Sequence, residues 1–325
     1  MAFNLPTKNC VDEDYEIIYA RKGSMPGGIK VATQHDPALN RIESLVRRRS
    51  ETDRRMGYVW MIVPLLPPAA AIAIGGIFVG ILVSIIPKIS NLSEPATAQS
   101  TIEPIMGGLL ALYGLGVAVF FAVLFFGALS FYYLIDRRNR HVGRQQLLFS
   151  TLHRYLAIKA PTSESISQLG YLSEDSIYEE KARSAGLWAI LFMFVSPIVG
   201  LIVSHNLTHD MRKHDELQSK YQVALARSLV EAGFQETNFG PYKSRSRDPV
   251  LFIILTAITG GLFWIYWYYT LLRDYNEHFT EQAKFEDQLL KTIIPAPTHR
   301  TCGICGGAVP STGRFCPNCG SPQTV

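Results

Sequence analysis

The sequence predicts an all-α, multipass membrane protein with about four hydrophobic segments, cytosolic amphipathic helices and a small metal-folded domain at its C-terminus. Three observations predict this fold class. Almost half of the 325 residues are hydrophobic and only 18% are charged, which is a low charge content for a soluble protein. Long stretches of the chain carry no charge at all. Four of the five cysteines lie within the last 24 residues.

Two uncharged runs, residues 57–87 and 104–135, are each long enough to cross a bilayer. A hydrocarbon core of about 30 Å needs about 20 helical residues. The first 20 residues contain four acidic side chains and no apolar run, which is not the pattern of a secretory signal. We therefore expect the first run to remain in the protein and to form a helical hairpin with the second.

The distribution of basic residues predicts the orientation of this hairpin. Five arginines shortly precede the first run and four follow the second, whereas residues 88–103 between the runs contain a single cation, Lys88. The arginines are Arg47, Arg48, Arg49, Arg54 and Arg55 before the hairpin, and Arg137, Arg138, Arg140 and Arg144 after it. Because basic residues are enriched on the cytosolic side, we expect both ends of the hairpin and the N-terminus in the cytosol.

Two further apolar runs, residues 185–204 and 249–272, are interrupted. Ser196-Pro197 divides the third run, and Thr259-Gly260-Gly261 divides the fourth. We expect four simple spans and a cytosolic C-terminus. The alternative is that the third and fourth runs bend at their interruptions and return to the side they entered from, since broken helices are tolerated where protein or water satisfies the freed backbone groups.

A repeated pattern of flanking residues supports the alternative. A basic cluster precedes the first, third and fourth runs, and a His-x-x-x-Gln pair follows the second, third and fourth. The pairs are His141 with Gln145, His214 with Gln218, and His278 with Gln282; the clusters are residues 47–50, 181–184 and 243–246. Residues four apart share one helix face. The pattern predicts an internal repeat, and the seven cations of residues 205–248 favour a cytosolic position for that loop.

The segments after the apolar runs are predicted to be amphipathic helices, because Leu217, Tyr221, Leu225 and Val230 recur near a 3.6-residue period. The predicted organisation is a cytosolic N-terminal segment (1–56), a transmembrane hairpin (57–135), a cytosolic helical segment (136–184), a third membrane segment (185–204), a polar helical loop (205–248), a fourth membrane segment (249–272), a cytosolic helix and linker (273–297) and a C-terminal domain (298–325).

Four cysteines form the clearest chemical pattern in the chain. They are Cys302, Cys305, Cys316 and Cys319, arranged as two Cys-x-x-Cys-Gly turns. Four thiolates satisfy the tetrahedral coordination of a structural Zn²⁺ and leave no open position for catalysis. A disulfide framework would need an oxidising compartment, and a thioredoxin-type motif would need a βαβ context. We therefore predict one structural Zn²⁺ per chain, while Cys10 is expected to be a free thiol.

The cysteine tail resembles the small zinc-ribbon family, in which the second half reads Phe-Cys-Pro-x-Cys-Gly. Residues 315–320 match that pattern, and Gly303 replaces the proline that usually follows the first cysteine. The resemblance implies a β-hairpin zinc ribbon that serves for structure and contact. Residues 255–276 also resemble a prokaryotic multipass membrane family of unknown function, with a Thr-x-Gly break and an aromatic-rich half-helix; this implies membrane placement only.

The sequence specifies no reaction. We expect a non-enzymatic membrane adaptor or accessory subunit with a multipass position in the cell membrane, both termini cytosolic, and a protein partner on the zinc ribbon or the cytosolic helices. The alternative is a channel or passive transporter, suggested by the broken helices. A third class is a metal-dependent membrane enzyme that uses His205 and His209, which are four residues apart. Nucleic acid is not expected as a partner, since the tail has only Arg300 and Arg314, and the oligomeric state stays open.

Overall fold

The computed structural model describes residues 36–89, 95–240, 247–294, 299–310 and 313–322. Predictions for Cys10 and for the basic cluster at 243–246 lie outside these residues. The elements are α1 (Pro37–Arg47), α2 (Arg49–Thr52), a 3₁₀ turn (Tyr58–Met61), α3 (Ile62–Ile89), α4 (Pro95–Lys159), α5 (Glu164–Glu179), α6 (Ala185–Phe194), α7 (Ser196–Glu231), α8 (Pro249–Ile258), α9 (Leu262–Ile293), β1 (His299–Thr301) and β2 (Ala308–Pro310).

Among the described residues, two helices are long and apolar enough to cross a membrane. They are residues 58–86 and the N-terminal part of α4, and the most apolar 18 residues of each have a mean hydropathy of 2.6. In the first helix, no part of the most apolar stretch is buried within the protein. In the second helix, only 6% of the corresponding stretch is buried. Phe120 and Phe121 are more than half exposed. An apolar surface of this extent is typical of a helix pair that contacts lipid.

The third apolar run is two helices that fold back on each other. Helix α6 ends at Phe194, and α7 begins at Ser196 with Pro197 in its first turn. Near the break, Phe192 packs so closely on Gly200 that a Cβ there would lie 3.3 Å from the ring. At the far end, Arg183 donates two hydrogen bonds to Asp210, of 2.8 and 2.7 Å, across 27 residues. A straight helix would separate those residues by about 40 Å.

The fourth apolar run folds back in the same way. Gly260 and Gly261 join α8 to α9 with φ angles of 59° and 95°, a left-handed conformation that favours glycine. The ring centroids of Phe252 and Trp267 are 5.5 Å apart, although a straight helix would place these residues about 22 Å apart. Arg247 pairs with Asp274, again across 27 residues.

The expected four simple spans are therefore not confirmed, and the breaks lie where the alternative topology places them. The ion-paired arginines align the two folded-back units with each other better than the basic clusters of the sequence pattern do. Lys181 and Lys243 stand 33 and 35 residues before their histidines, whereas Arg183 and Arg247 both stand 31 residues before them. The two folded-back units thus share one plan: an arginine, an aspartate 27 residues later, a histidine four residues on and a glutamine four residues beyond.

Helix α4 is continuous for 65 residues, so the second apolar run and the helix predicted after it form one element. Beyond its apolar part, α4 packs with α5, α7, α9 and α1 around a core that includes Leu152, Leu225 and Leu289, all with no exposed surface. A second core surrounds Phe131, Trp267 and Tyr268. Along α4, α7 and α9, the His–Gln pairs lie between these two apolar cores.

Candidate metal centres

The four predicted cysteine ligands come together in the tail. Their sulfur atoms lie within 4.8 Å of one another; Cys302 Sγ is 3.7 Å from Cys319 Sγ, and Cys305 Sγ is 3.6 Å from Cys316 Sγ. Sulfurs on a tetrahedral Zn²⁺ at about 2.3 Å are about 3.8 Å apart. The group is therefore able to hold a metal ion with four thiolate ligands.

Both Cys-x-x-Cys turns have the same backbone geometry. The N–H of Gly306 donates to Cys302 O at 2.9 Å, and the N–H of Gly320 donates to Cys316 O at 2.8 Å. Both glycines have positive φ, 69° and 71°, which explains their place after each pair. Strands β1 and β2 pair antiparallel beside the first turn, with Arg300 opposite Val309.

The thiols of this group do not share one protonation behaviour. Hydrogen bonds from Ser321 and from backbone N–H groups lower the pKa of Cys302 to about 5, and Ser321 also lowers the pKa of Cys319. The backbone N–H of Gly307 acts to lower the pKa of Cys305, but the surrounding thiols raise it to about 11. Thiolates are the metal-binding form of cysteine, and the lowered pKa values of Cys302 and Cys319 favour that form.

A second group of metal-ligating side chains, which the sequence did not lead us to expect as a site, is formed by the three repeat histidines. His141 on α4, His214 on α7 and His278 on α9 are buried, and one ring nitrogen from each lies within 4.8 Å of the other two. His141 Nε2 is 3.3 Å from His214 Nε2 and 3.0 Å from His278 Nε2. We call this group the histidine cluster.

Each ring of the histidine cluster has a carboxylate at its other nitrogen. Nδ1 of His214 lies 2.5 Å from Glu180 Oε1, and Nδ1 of His278 lies 3.1 Å from Asp215 Oδ1. Nδ1 of His141 lies 3.0 Å from Asp53 Oδ1, in a contact that is poorly aligned for a hydrogen bond. The carboxylates belong to three separate parts of the chain: the residue after α2, the end of α5, and α7.

These contacts set the ionisation of the groups around the cluster. Burial alone would raise the pKa of Asp53, but His141 and Arg144 lower it well below its usual value. Burial alone would lower the pKa of His214, but Glu180 raises it. Burial lowers the pKa of His278, against the effect of Asp215. Neighbouring charges thus decide the ionisation of Asp53 and His214, and burial decides that of His278.

The repeat glutamines form a second polar layer, one helical turn from the histidines. Gln218 Nε2 donates to Gln282 Oε1 at 2.5 Å, and Gln282 Nε2 donates to Glu286 Oε1 at 3.0 Å. Gln145 is 1% exposed, and neither atom of its amide has a hydrogen-bond partner within the described part of the chain. Arg144 spans both layers, with hydrogen bonds to Asp53 Oδ2 at 2.8 Å and to Glu286 Oε1 at 2.7 Å.

The other histidines proposed from the sequence do not join a site among the described residues. His205 and His209 are half-buried on α7 with their rings stacked 6.1 Å apart, and they are not part of either metal-ligating group. Asp210, which follows His209 in the sequence, pairs with Arg183. The repeated His-x-x-x-Gln pattern was the sequence signal that marks the actual cluster.

No protein-family model, no curated protein and no solved structure matches this chain. The resemblances of the tail and of residues 255–276 therefore stay predictions, and the two candidate metal centres are the features from which a function can be proposed.

Proposed function

We propose that the protein is a membrane-anchored adaptor or accessory subunit whose cysteine tail, a β-hairpin zinc ribbon, binds a partner protein. The convergence of four sulfur atoms carries this proposal, because a closed set of four thiolates favours structure and contact over catalysis. Ile304 and Phe315 are strongly exposed on the tail, at 77% and 64%. Exposed apolar side chains on a small rigid module are suited to contact with another protein.

Zn²⁺ is the cation we assign to the tail, with one structural ion per chain. Four thiolates in a tetrahedral arrangement suit Zn²⁺, whereas Mg²⁺, Ca²⁺ and Mn²⁺ prefer oxygen ligands. The tail's buried cluster in the described residues consists of Val309 and two of the cysteines, which is too small to fold a domain alone. The metal therefore supplies most of the folding free energy of the tail.

The membrane arrangement we propose has two crossing helices and two folded-back hairpins, with both termini in the cytosol. The basic residues at both ends of the α3–α4 pair support this orientation. The ion pairs of Arg183 with Asp210 and of Arg247 with Asp274 support it further, since they close the open end of each hairpin on the side where α4 carries its arginines.

A channel is less well supported than an adaptor. The broken helices that suggested it are packed against each other in the folded-back units, and Trp267 is fully buried between them. The cavities at the histidine cluster and between α7 and α9 are each about 10 Å³, far below the volume of about 300–1,000 Å³ typical of ligand pockets. A pocket of about 400 Å³ lies between α3 and α4, where its lining is apolar and offers no charged side chain to a passing ion.

Exchange of Cys316 for serine tests the adaptor proposal. We expect Cys316→Ser to lose the zinc of the tail and, with it, a partner that is cross-linked to the full chain in native membranes and identified by mass spectrometry. Cys10→Ser is the matched control, and it should keep both the zinc and the partner. An unchanged set of cross-linked proteins in Cys316→Ser, with the zinc lost, would show that the tail is not the contact site.

A further inference from the structure

We propose that His141, His214 and His278 bind one divalent transition-metal ion through their Nε2 atoms, in a buried centre that is independent of the cysteine tail. The proposal goes beyond the adaptor function, because it assigns a second metal site of different chemistry to the helical bundle.

The hydrogen-bonding capacity of the three rings is the first argument. An ionised carboxylate only accepts hydrogen bonds, so the ring Nδ1 atoms that face Glu180 and Asp215 carry the proton. A histidine that binds a metal ion is neutral, and with the proton on Nδ1 its Nε2 carries the lone pair. The Nε2 atoms of His214 and His278 both point at Nε2 of His141, at 3.3 and 3.0 Å. A single proton on His141 could satisfy only one of these contacts, whereas one cation satisfies all three lone pairs.

The distances are the second argument. Zn–N bonds of about 2.0–2.1 Å in a tetrahedral site separate the ligand nitrogens by about 3.3–3.4 Å. The observed separations of 3.3 and 3.0 Å need only a small opening of the three rings to admit an ion. The rings are held by three long helices rather than by loops, so the site is built before the metal arrives.

The carboxylates behind the rings are the third argument. A metal-bound histidine almost always passes its other N–H to a carboxylate, a carbonyl oxygen or water, which fixes the ring and makes it a stronger ligand. Here every ring of the cluster faces a carboxylate oxygen within 3.1 Å. Buried histidines that serve only for packing do not require three such partners from three parts of the chain.

The ligand set indicates the class of metal. Imidazole nitrogen suits Zn²⁺, Cu²⁺, Ni²⁺ and Fe²⁺, whereas Mg²⁺ and Ca²⁺ prefer oxygen. Three histidines leave a fourth position. A cavity of about 10 Å³ touches all three rings and is also lined by Glu180 and Tyr275, and this is about the volume that one water molecule requires. We place a water or a small anion there, as in sites that keep one exchangeable ligand.

Metal counting on the full chain in detergent tests the proposal. We expect two metal ions per wild-type chain after loading with Zn²⁺ and removal of the excess. The variant with all four tail cysteines changed to serine should keep one ion, because the helical bundle that holds the histidine cluster is unchanged in it. His278→Gln should also keep one, and the combination of both sets of changes should keep none.

The matched control is the double variant His205→Gln and His209→Gln, which changes two histidines of α7 outside the cluster and should keep two ions. If the variant without the four tail cysteines retains no metal, while its helical circular dichroism equals that of wild type, the proposal is overturned; the rings would then share only a proton. A wild-type chain that holds one ion, which His278→Gln removes and the change of the four tail cysteines does not, would contradict the zinc ribbon. That result would still support the histidine cluster.

Cobalt distinguishes the two centres by ligand type. In the variant without the four tail cysteines, bound Co²⁺ should show the visible bands of a four-coordinate ion without the intense near-ultraviolet sulfur-to-cobalt charge transfer of the tail site. Addition of azide should shift these visible bands, because the fourth position is exchangeable. Bands that do not respond to azide would contradict the open position, and sulfur charge transfer in this variant would show that the metal is bound elsewhere.

Discussion

Replacement of Arg144 by methionine is expected to lower the free energy of unfolding by about 3–5 kcal/mol. The guanidinium is 2% exposed and pairs with Asp53 and Glu286, which are 6% and 0% exposed. Without it, two carboxylates stay buried without their cation. Removal of one member of a buried ion pair is costly for this reason, although the intact pair adds little net stability. Unfolding in detergent, followed by circular dichroism, measures the effect.

An exposed ion pair provides the control for Arg144. Arg47 pairs with Glu43 at 2.6 Å, but its side chain is 77% exposed, so Arg47→Met should cost less than about 1 kcal/mol. The double change of Arg144 and Glu286 to methionine should recover part of the loss, because an apolar pair replaces the stranded charge. If Arg144→Met is no more destabilising than Arg47→Met, the buried network around the histidine cluster does not exist as described.

Trp267→Ala is expected to cost about 3–5 kcal/mol, the range for loss of a large buried aromatic side chain. The indole has no exposed surface, its N–H donates to Thr208 Oγ1 at 2.8 Å, and its ring packs against Phe252 of α8. These contacts join α7, α8 and α9, so the substitution opens a cavity where the two folded-back units meet. The same unfolding assay measures the loss.

Tyr266 is the control for Trp267, because it is the preceding residue on α9 and is 46% exposed. Tyr266→Ala should cost no more than about 1 kcal/mol, within the common range for partly exposed positions. In a continuous fourth span, Phe252 would not lie beside Trp267. Equal effects of the two substitutions would therefore argue against the folded-back α8–α9 unit.

The sequence predicted those features that depend on local pattern. The four cysteines converge as their spacing indicated, and the two uncharged runs are the two helices long enough to cross a membrane in the described part of the chain. Both interruptions became helix breaks: Pro197 lies in the first turn of the new helix α7, and two glycines supply the left-handed turn at Gly260 and Gly261.

Features that depend on distant contacts could not be predicted in this way. A folded-back run and a simple span have the same composition, and only contacts such as Arg183 with Asp210 distinguish them. The repeat predicted that each histidine shares a helix face with its glutamine. It did not predict that these faces of the three helices point toward one another. Asp53 and Glu180 lie outside the repeat pattern, so nothing in their sequence context identified them as partners of His141 and His214.

The most direct test of the account is the side of the membrane on which α7 lies, since folding back is what brings α4, α7 and α9 together. We would change the five native cysteines to serine, and then place a single cysteine at Lys220, on α7, or at Ser100, between the two uncharged runs. Intact and permeabilised cells would be labelled with a membrane-impermeant maleimide, with the chain that lacks all cysteines as background. The account predicts labelling from opposite sides: Ser100→Cys in intact cells and Lys220→Cys only after permeabilisation. Labelling of both positions from the same side would mean that the third run crosses the membrane once, and would contradict the shared histidine cluster.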